Sequence, residues 1–173
     1  MSISAVESAN RASETDPYHQ DRVNLAAVFR MSARLDMHES VANHFSYAVS
    51  DDGRQFLVNP LGRHFSNIRA SELLLLDAND DATMNRTLPQ ARCVLHLHSK
   101  YATVLASIQE SGLPPIDQNS MRFFNRVSID DGFDGMGLGD EAERLSTRLG
   151  DNRILIMGNH GVMAVGETIA RAF

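Results

Sequence analysis

The chain has one cysteine, Cys93, in 173 residues. No intrachain disulfide can form, and the composition suits a reducing compartment. Positive charge is also short: 16 Lys and Arg against 22 Asp and Glu leave a net charge of −6 and a pI near 5.6. A nucleic-acid surface needs clustered Lys and Arg, so no nucleic-acid partner is expected. No apolar run approaches a membrane span, and residues 1–16 lack the apolar core of an export signal. The expectation is a cytoplasmic protein with no membrane partner. Repeats and low-complexity arrays are absent, and the acids between Asp77 and Asn85 are too irregularly spaced for an EF-hand.

An apolar fraction of 43% over this length supports one sizeable core. Residues 1–15 read as a loosely held tail and 16–173 as a single domain. Asp16-Pro17 gives a helix start, and Val23, Ala26, Ala27, Phe29, Met31 and Leu35 recur at helical spacing over 22–35. Two β-rich runs, 42–50 and 55–59, flank an Asp52-Gly53 turn and predict a hairpin. Further helices are expected over 69–76, 99–110, 141–149 and from Glu167 onward, with short strands at 153–157 and 162–165. Residues 111–137 read as a long connection in which Phe123-Phe124 is a buried strand pair or a subunit contact. Strands and helices alternate, which predicts an α/β fold: a three-layer α/β/α sandwich around a mixed, mainly antiparallel sheet.

The chemistry-bearing stretch is Arg92-Cys93-Val94-Leu95-His96-Leu97-His98-Ser99. On a strand, side chains at i and i+2 leave one face, so His96 and His98 project together with Cβ atoms roughly 7 Å apart. Cys93, at an odd offset, falls on the other face as a core residue. A lone His-x-His is as compatible with hydrogen-bonded structural histidines as with a metal. Met157-Gly158-Asn159-His160-Gly161-Val162 adds a third histidine in a turn after another apolar run. Three neutral imidazoles from two strand ends form an open ligand set with room for a substrate oxygen.

His96-Leu97-His98-Ser99 with Tyr101-Ala102-Thr103, and Gly158-Asn159-His160-Gly161-Val162 ahead of Gly166-Glu167-Thr168, resemble the metal-binding signatures of the class II aldolase/adducin family. Ala42-Asn43-His44-Phe45-Ser46, Phe56-Leu57-Val58-Asn59-Pro60-Leu61-Gly62 and Ile68-Arg69-Ala70-Ser71-Glu72-Leu73 are similar to its N-terminal half. The resemblance implies the same three-layer fold and one divalent ion, zinc before manganese, iron or cobalt, held by His96, His98 and His160. It also implies a fourfold assembly and substrate-anion contacts from Asn43 and the backbone around Gly62. Ala42 stands where the phosphate-binding aldolases carry glycine, and Leu61 where they carry a hydroxyl residue. No acid lies between Ala82 and His96, where the resemblance places a helix and, in some aldolases, a catalytic glutamate. A segment missing after Asn85 and a chain continuing past Phe173 are therefore expected.

A dication held by three imidazoles can polarise a hydroxyl and a carbonyl chelated side by side, stabilising the enediolate formed when a C–C bond breaks. The first expectation is thus a metal-dependent lyase acting on a small hydroxy-carbonyl compound. The other readings are a non-catalytic adducin-like assembly module, or an epimerase, dehydratase or oxygenase using the same metal. A proton-transfer group is still required. His44, His64, Asp117 and Tyr101 have suitable chemistry, and their spacing selects none of them.

Overall fold

The computed structural model describes residues 16–78, 88–132 and 141–173. The expectations for residues 1–15 and for the chain just after Asn85 lie outside these. Asp16 accepts a hydrogen bond from the Tyr18 amide (2.9 Å) and ion-pairs with Arg22 (2.6 Å), anchoring the start of α1, His19–Arg34. Pairing lets Arg22 be buried, and the buried stripe becomes Arg22, Leu25, Ala26, Val28, Phe29 and Ser32. Val23, Met31 and Leu35, part of the apolar set at helical spacing, are exposed because the buried stripe is rotated away from them.

Strands β1, His44–Ala48, and β2, Gln55–Val58, form the expected hairpin. Its turn is held by Ser50 and Asp52, with Gly53 at φ 69°. The chain then makes 3-10 turns at Phe65–Asn67 and Ala70–Glu72 before β3, Leu74–Asp77. The helix expected over 69–76 is thus a 3-10 turn followed by the start of an edge strand. A four-leucine run has no period that separates helix from strand, and pairing with β2 decides it.

After a 3-10 turn at Pro89–Ala91, β4 runs over Cys93–Leu97, α2 over Lys100–Ala106 and α3 over Gln118–Met121. Next come β5, Val127–Asp130, and α4, Glu141–Leu149. The chain closes with β6, Ile154–Met157, β7, Gly161–Gly166, and α5, Ile169–Ala172. The long connection therefore contains a helix and an edge strand, and α2 stops four residues short of the expected end. Phe123 and Phe124 lie between α3 and β5, 37% and 49% exposed, and are not a buried strand pair.

The sheet order is β3-β2-β1-β4-β7-β6-β5, antiparallel throughout except for β5–β6. One face packs Phe45, Leu57, Cys93, Leu95 and Leu97 against Leu25, Val28 and Phe29 of α1 and Ile169 of α5. The other packs Val94, Leu155, Met157, Met163 and Val165 against Leu145 and Leu149 of α4. Alternation along β4 sends Val94 and His96 to the second face and Cys93, Leu95 and Leu97 to the first. Burial pushes the Cys93 thiol up to about 12, which makes it an inert core residue. The α/β architecture with helices on both sheet faces is as expected. Its central strand carries the candidate site.

Candidate metal centre

Every residue of β4 is buried, and the strand lies between β1 and β7, opposing His96 to His44 on one side and Met163 on the other. His98 lies one residue beyond the strand. His160 occupies the tight β6–β7 turn, with its amide on the Met157 carbonyl (3.0 Å). Two bonds from outside the turn hold it: the Gly158 amide to the Asp130 carbonyl (2.6 Å) and the Asn159 amide to the Ala106 carbonyl (2.9 Å). Next, Gly161 lets β7 approach β4 closely, since a Cβ there would lie 2.5 Å from the Leu97 carbonyl oxygen and 2.8 Å from His98 Cδ2.

These constraints bring the three histidines together. Ring centroids are 4.8 Å apart for His96–His98, 4.7 Å for His96–His160 and 4.9 Å for His98–His160, each pair edge to face. One ligand nitrogen from each lies within 4.8 Å of the others, and the Nε2 atoms of His96 and His98 are 2.9 Å apart. Burial, then the neighbouring His44, His160 and His98, lower the His96 pKa to about 2, with the Val162 backbone working weakly the other way. Burial first and His98 second lower His160. Both rings are therefore neutral near pH 7, the form that ligates a metal, so this donor set fits a divalent ion.

Two residues complete the surroundings. Glu39 Oε2 lies 3.0 Å from His98 Nδ1 across 59 residues of chain. An ionised carboxylate can only accept here, so Nδ1 carries a proton and Nε2 is the ring nitrogen that faces the cluster. Glu39 sits in the α1–β1 loop, where no sequence pattern marks it. His44 is brought in by the β1–β4 register, its ring centroid 5.0 Å from His96. Desolvation of the ring, followed by His160 and His98, lowers its pKa, although the residue as a whole is exposed.

The other candidates lie elsewhere. Asp117 caps α3 through the Ser120 amide. Tyr101 is 82% exposed with Lys100 over its ring. The Nε2 atoms of His64 and His38 are 2.7 Å apart. Asn43, immediately before His44, is buried; its Oδ1 accepts from the Glu39 amide (2.7 Å), which shapes the loop carrying Glu39. Its Nδ2 has no hydrogen-bond partner among the described residues. Gly62 lies in an exposed turn at φ 75°.

The model for the Class II Aldolase and Adducin N-terminal domain matches residues 23–173. The chain belongs to the class II aldolase/adducin family. A crystal structure of an aldolase II superfamily protein from Pseudomonas syringae is 30% identical with a TM-score of 0.79, covering 94% of this chain and 71% of that one. L-fuculose 1-phosphate aldolase from Glaciozyma antarctica, at 22% identity, shares the fold with a TM-score of 0.78 over 99% of this chain and 74% of its own. Decarboxylase NovR of Streptomyces niveus is 27% identical over 91% of this chain and 66% of its own length. Two other bacterial curated relatives are spanned over 66% and 65% of their lengths, so the match to this class II aldolase/adducin chain covers just under two thirds of each of the three. No helix among the described residues is long and apolar enough to cross a membrane.

The low pKa of His96 sets a pH dependence for the metal-stripped class II aldolase/adducin domain. Between its folded value of about 2 and the ordinary 6.5, the unfolded chain takes up a proton that the folded chain refuses. Stability is therefore full above pH 6.5 and falls below it, by up to about 1.4 kcal/mol per pH unit for this ring alone. His44 and His160 act in the same direction. Denaturant midpoints should be clearly lower at pH 5.5 than at pH 7.5. Equal midpoints would show that these rings are not held neutral.

Glu39→Gln should leave the fold intact and weaken divalent-metal affinity about 10- to 100-fold, the range typical for a carboxylate that orients a ligating histidine. Competition against a chromogenic chelator would measure it. An unchanged affinity would remove Glu39 from the site.

Proposed function

We propose that the chain is the metal-binding domain of a class II aldolase-type lyase that makes or breaks a C–C bond in a small hydroxy-carbonyl compound. His96, His98 and His160 hold one divalent ion, most simply zinc, because three nitrogen donors with an open position suit it. The observation that carries this reading is the convergence of three imidazoles, one nitrogen from each within 4.8 Å, two of them held neutral by burial first. When bound, the ion supplies positive charge to polarise adjacent substrate oxygens.

The chain's own residues supply the rest. Glu39 fixes the tautomer of His98. Asn43 offers its free Nδ2 to the substrate's anionic end, and the turn around Gly62, at the same end of the β1–β2 hairpin, lies on that side. His44, exposed and beside His96, is the group we assign to moving a proton. His44→Gln should keep the metal while turnover falls about 10²- to 10⁴-fold; full activity in that variant would assign the proton step elsewhere. Homo-oligomers with the pocket at a subunit boundary, and a cytoplasmic location, fit the same reading.

A panel of aldol cleavage substrates, assayed with and without chelator, tests the function. Chelator-sensitive cleavage of one compound is the expected result. Metal-loaded protein inactive on every compound would favour the assembly-module reading found in the adducin branch.

A further inference from the structure

A second polar site lies apart from the histidines. A surface cavity of about 440 Å³ is lined by Arg30, Arg63, Ser66, Asn67, Arg69 and Glu72. None of these belongs to the candidate metal centre. Arg30 projects from α1 and is braced by its Nε donating to the Ile68 carbonyl (3.0 Å). Arg63 and Arg69 flank the first 3-10 turn after β2. The Glu72 carboxylate is already engaged on both oxygens, by the Arg63 guanidinium (2.7 Å) and by the Arg69 amide (3.0 Å). Among the described residues no carboxylate pairs with the guanidinium of Arg30 or Arg69.

Three guanidinium groups around one neutralised carboxylate leave this wall with a local charge near +2, on a chain whose net charge is −6. Cations that share one cavity wall are relieved by a bound counter-charge, and guanidinium geometry suits the oxygens of a phosphate. The Asn67 side chain adds a neutral hydrogen-bonding group, and the Ser66 hydroxyl, already on His64 Nδ1 (2.8 Å), lines the same wall. The overall negative charge disfavours an extended polyanion, and the cavity's size suits a small molecule.

We propose that this pocket binds the phosphate group of a small phosphate monoester, with Arg63 and Arg69 as its main contacts and Arg30 as a braced third. The site is independent of the metal and does not rest on the lyase reading. It also gives the chain an anion seat other than the one weakened by Ala42 and Leu61.

Calorimetric titration of orthophosphate into the full chain, stripped of metal and freed of chelator, tests this at ionic strength balanced with sodium chloride. Saturable binding is expected, about tenfold or more weaker in Arg69→Gln and in Arg63→Gln, as loss of a charge-assisted contact predicts. Arg153→Gln, outside the pocket, should bind like the parent, and so should the His96→Ala/His98→Ala chain. Glycerol 3-phosphate binding at least as well as orthophosphate would mark a monoester site. Absence of saturable heat, an equal response to chloride, or unchanged affinity in both pocket variants would overturn the proposal. Loss of binding in the histidine variant would do so too, placing the phosphate on the metal centre instead.

Discussion

The His96→Ala/His98→Ala chain should fall from about one bound divalent ion to below a tenth of an ion, measured by elemental analysis after dialysis against trace metal. Two of three donors vanish, and a single remaining imidazole is a weak monodentate ligand. Fold and metal can be separated in this experiment. His96 is 2% exposed and neutral when folded, so truncating it leaves a small cavity but no stranded charge. The expected stability cost without metal is about 1–3 kcal/mol, within the ordinary range for a buried truncation. Metal-dependent stabilisation, by contrast, should vanish: the parent's melting temperature should rise with added zinc, and the variant's should not. A double variant that retains a full equivalent of metal would mean that other ligands hold it.

Gly161→Ala should be nearly as disruptive through a single methyl group. The added Cβ would meet the Leu97 carbonyl oxygen at 2.5 Å and the His98 ring at 2.8 Å. The carbonyl belongs to the ladder that pairs Leu97 with Val162, so it cannot swing away as a flexible side chain would. Backbone displacement in a packed sheet costs about 3 kcal/mol, the upper end of ordinary overpacking, and the movement pushes His98 out of the cluster. Stability and metal affinity should therefore fall together. Gly62→Ala separates this effect from conformational strain. Its φ of 75° penalises alanine, but its Cβ would meet nothing within 4 Å, so about 1 kcal/mol is expected with metal binding unchanged. Parental stability and metal affinity in Gly161→Ala would mean that β4 and β7 do not approach this closely.

What could be read from the sequence divides along physical lines. His96 and His98 are legible because strand periodicity is strict, and His160 because a Gly-Asn-His-Gly turn follows an apolar run. The hairpin announces itself through Asp52-Gly53. Glu39 is not legible as a site residue, and His44 is legible only as one of four residues of suitable chemistry that spacing does not separate. Glu39 reaches His98 across 59 residues, and His44 arrives through a β1–β4 register that no local pattern encodes. The leucines of β3 have no diagnostic period, so the expected helix gives way to sheet pairing. Arg22 inverts the usual rule: a buried, paired cation in α1 rotates the apolar stripe and leaves Val23 and Met31 outside. In these cases a long-range contact overrides a local preference. The family's structural relatives account for the α/β architecture, while the arginines beside Gly62 stand out only once the turns fold them around one cavity.

X-ray absorption at the metal edge of zinc-loaded protein tests most directly whether these three rings share one ion. The account predicts about three nitrogen neighbours at roughly 2.0–2.1 Å with the multiple-scattering signature of imidazole, plus a light-atom ligand in the open position. A shell of oxygens without imidazole scattering, or one that includes the Cys93 sulfur at about 2.3 Å, would contradict it.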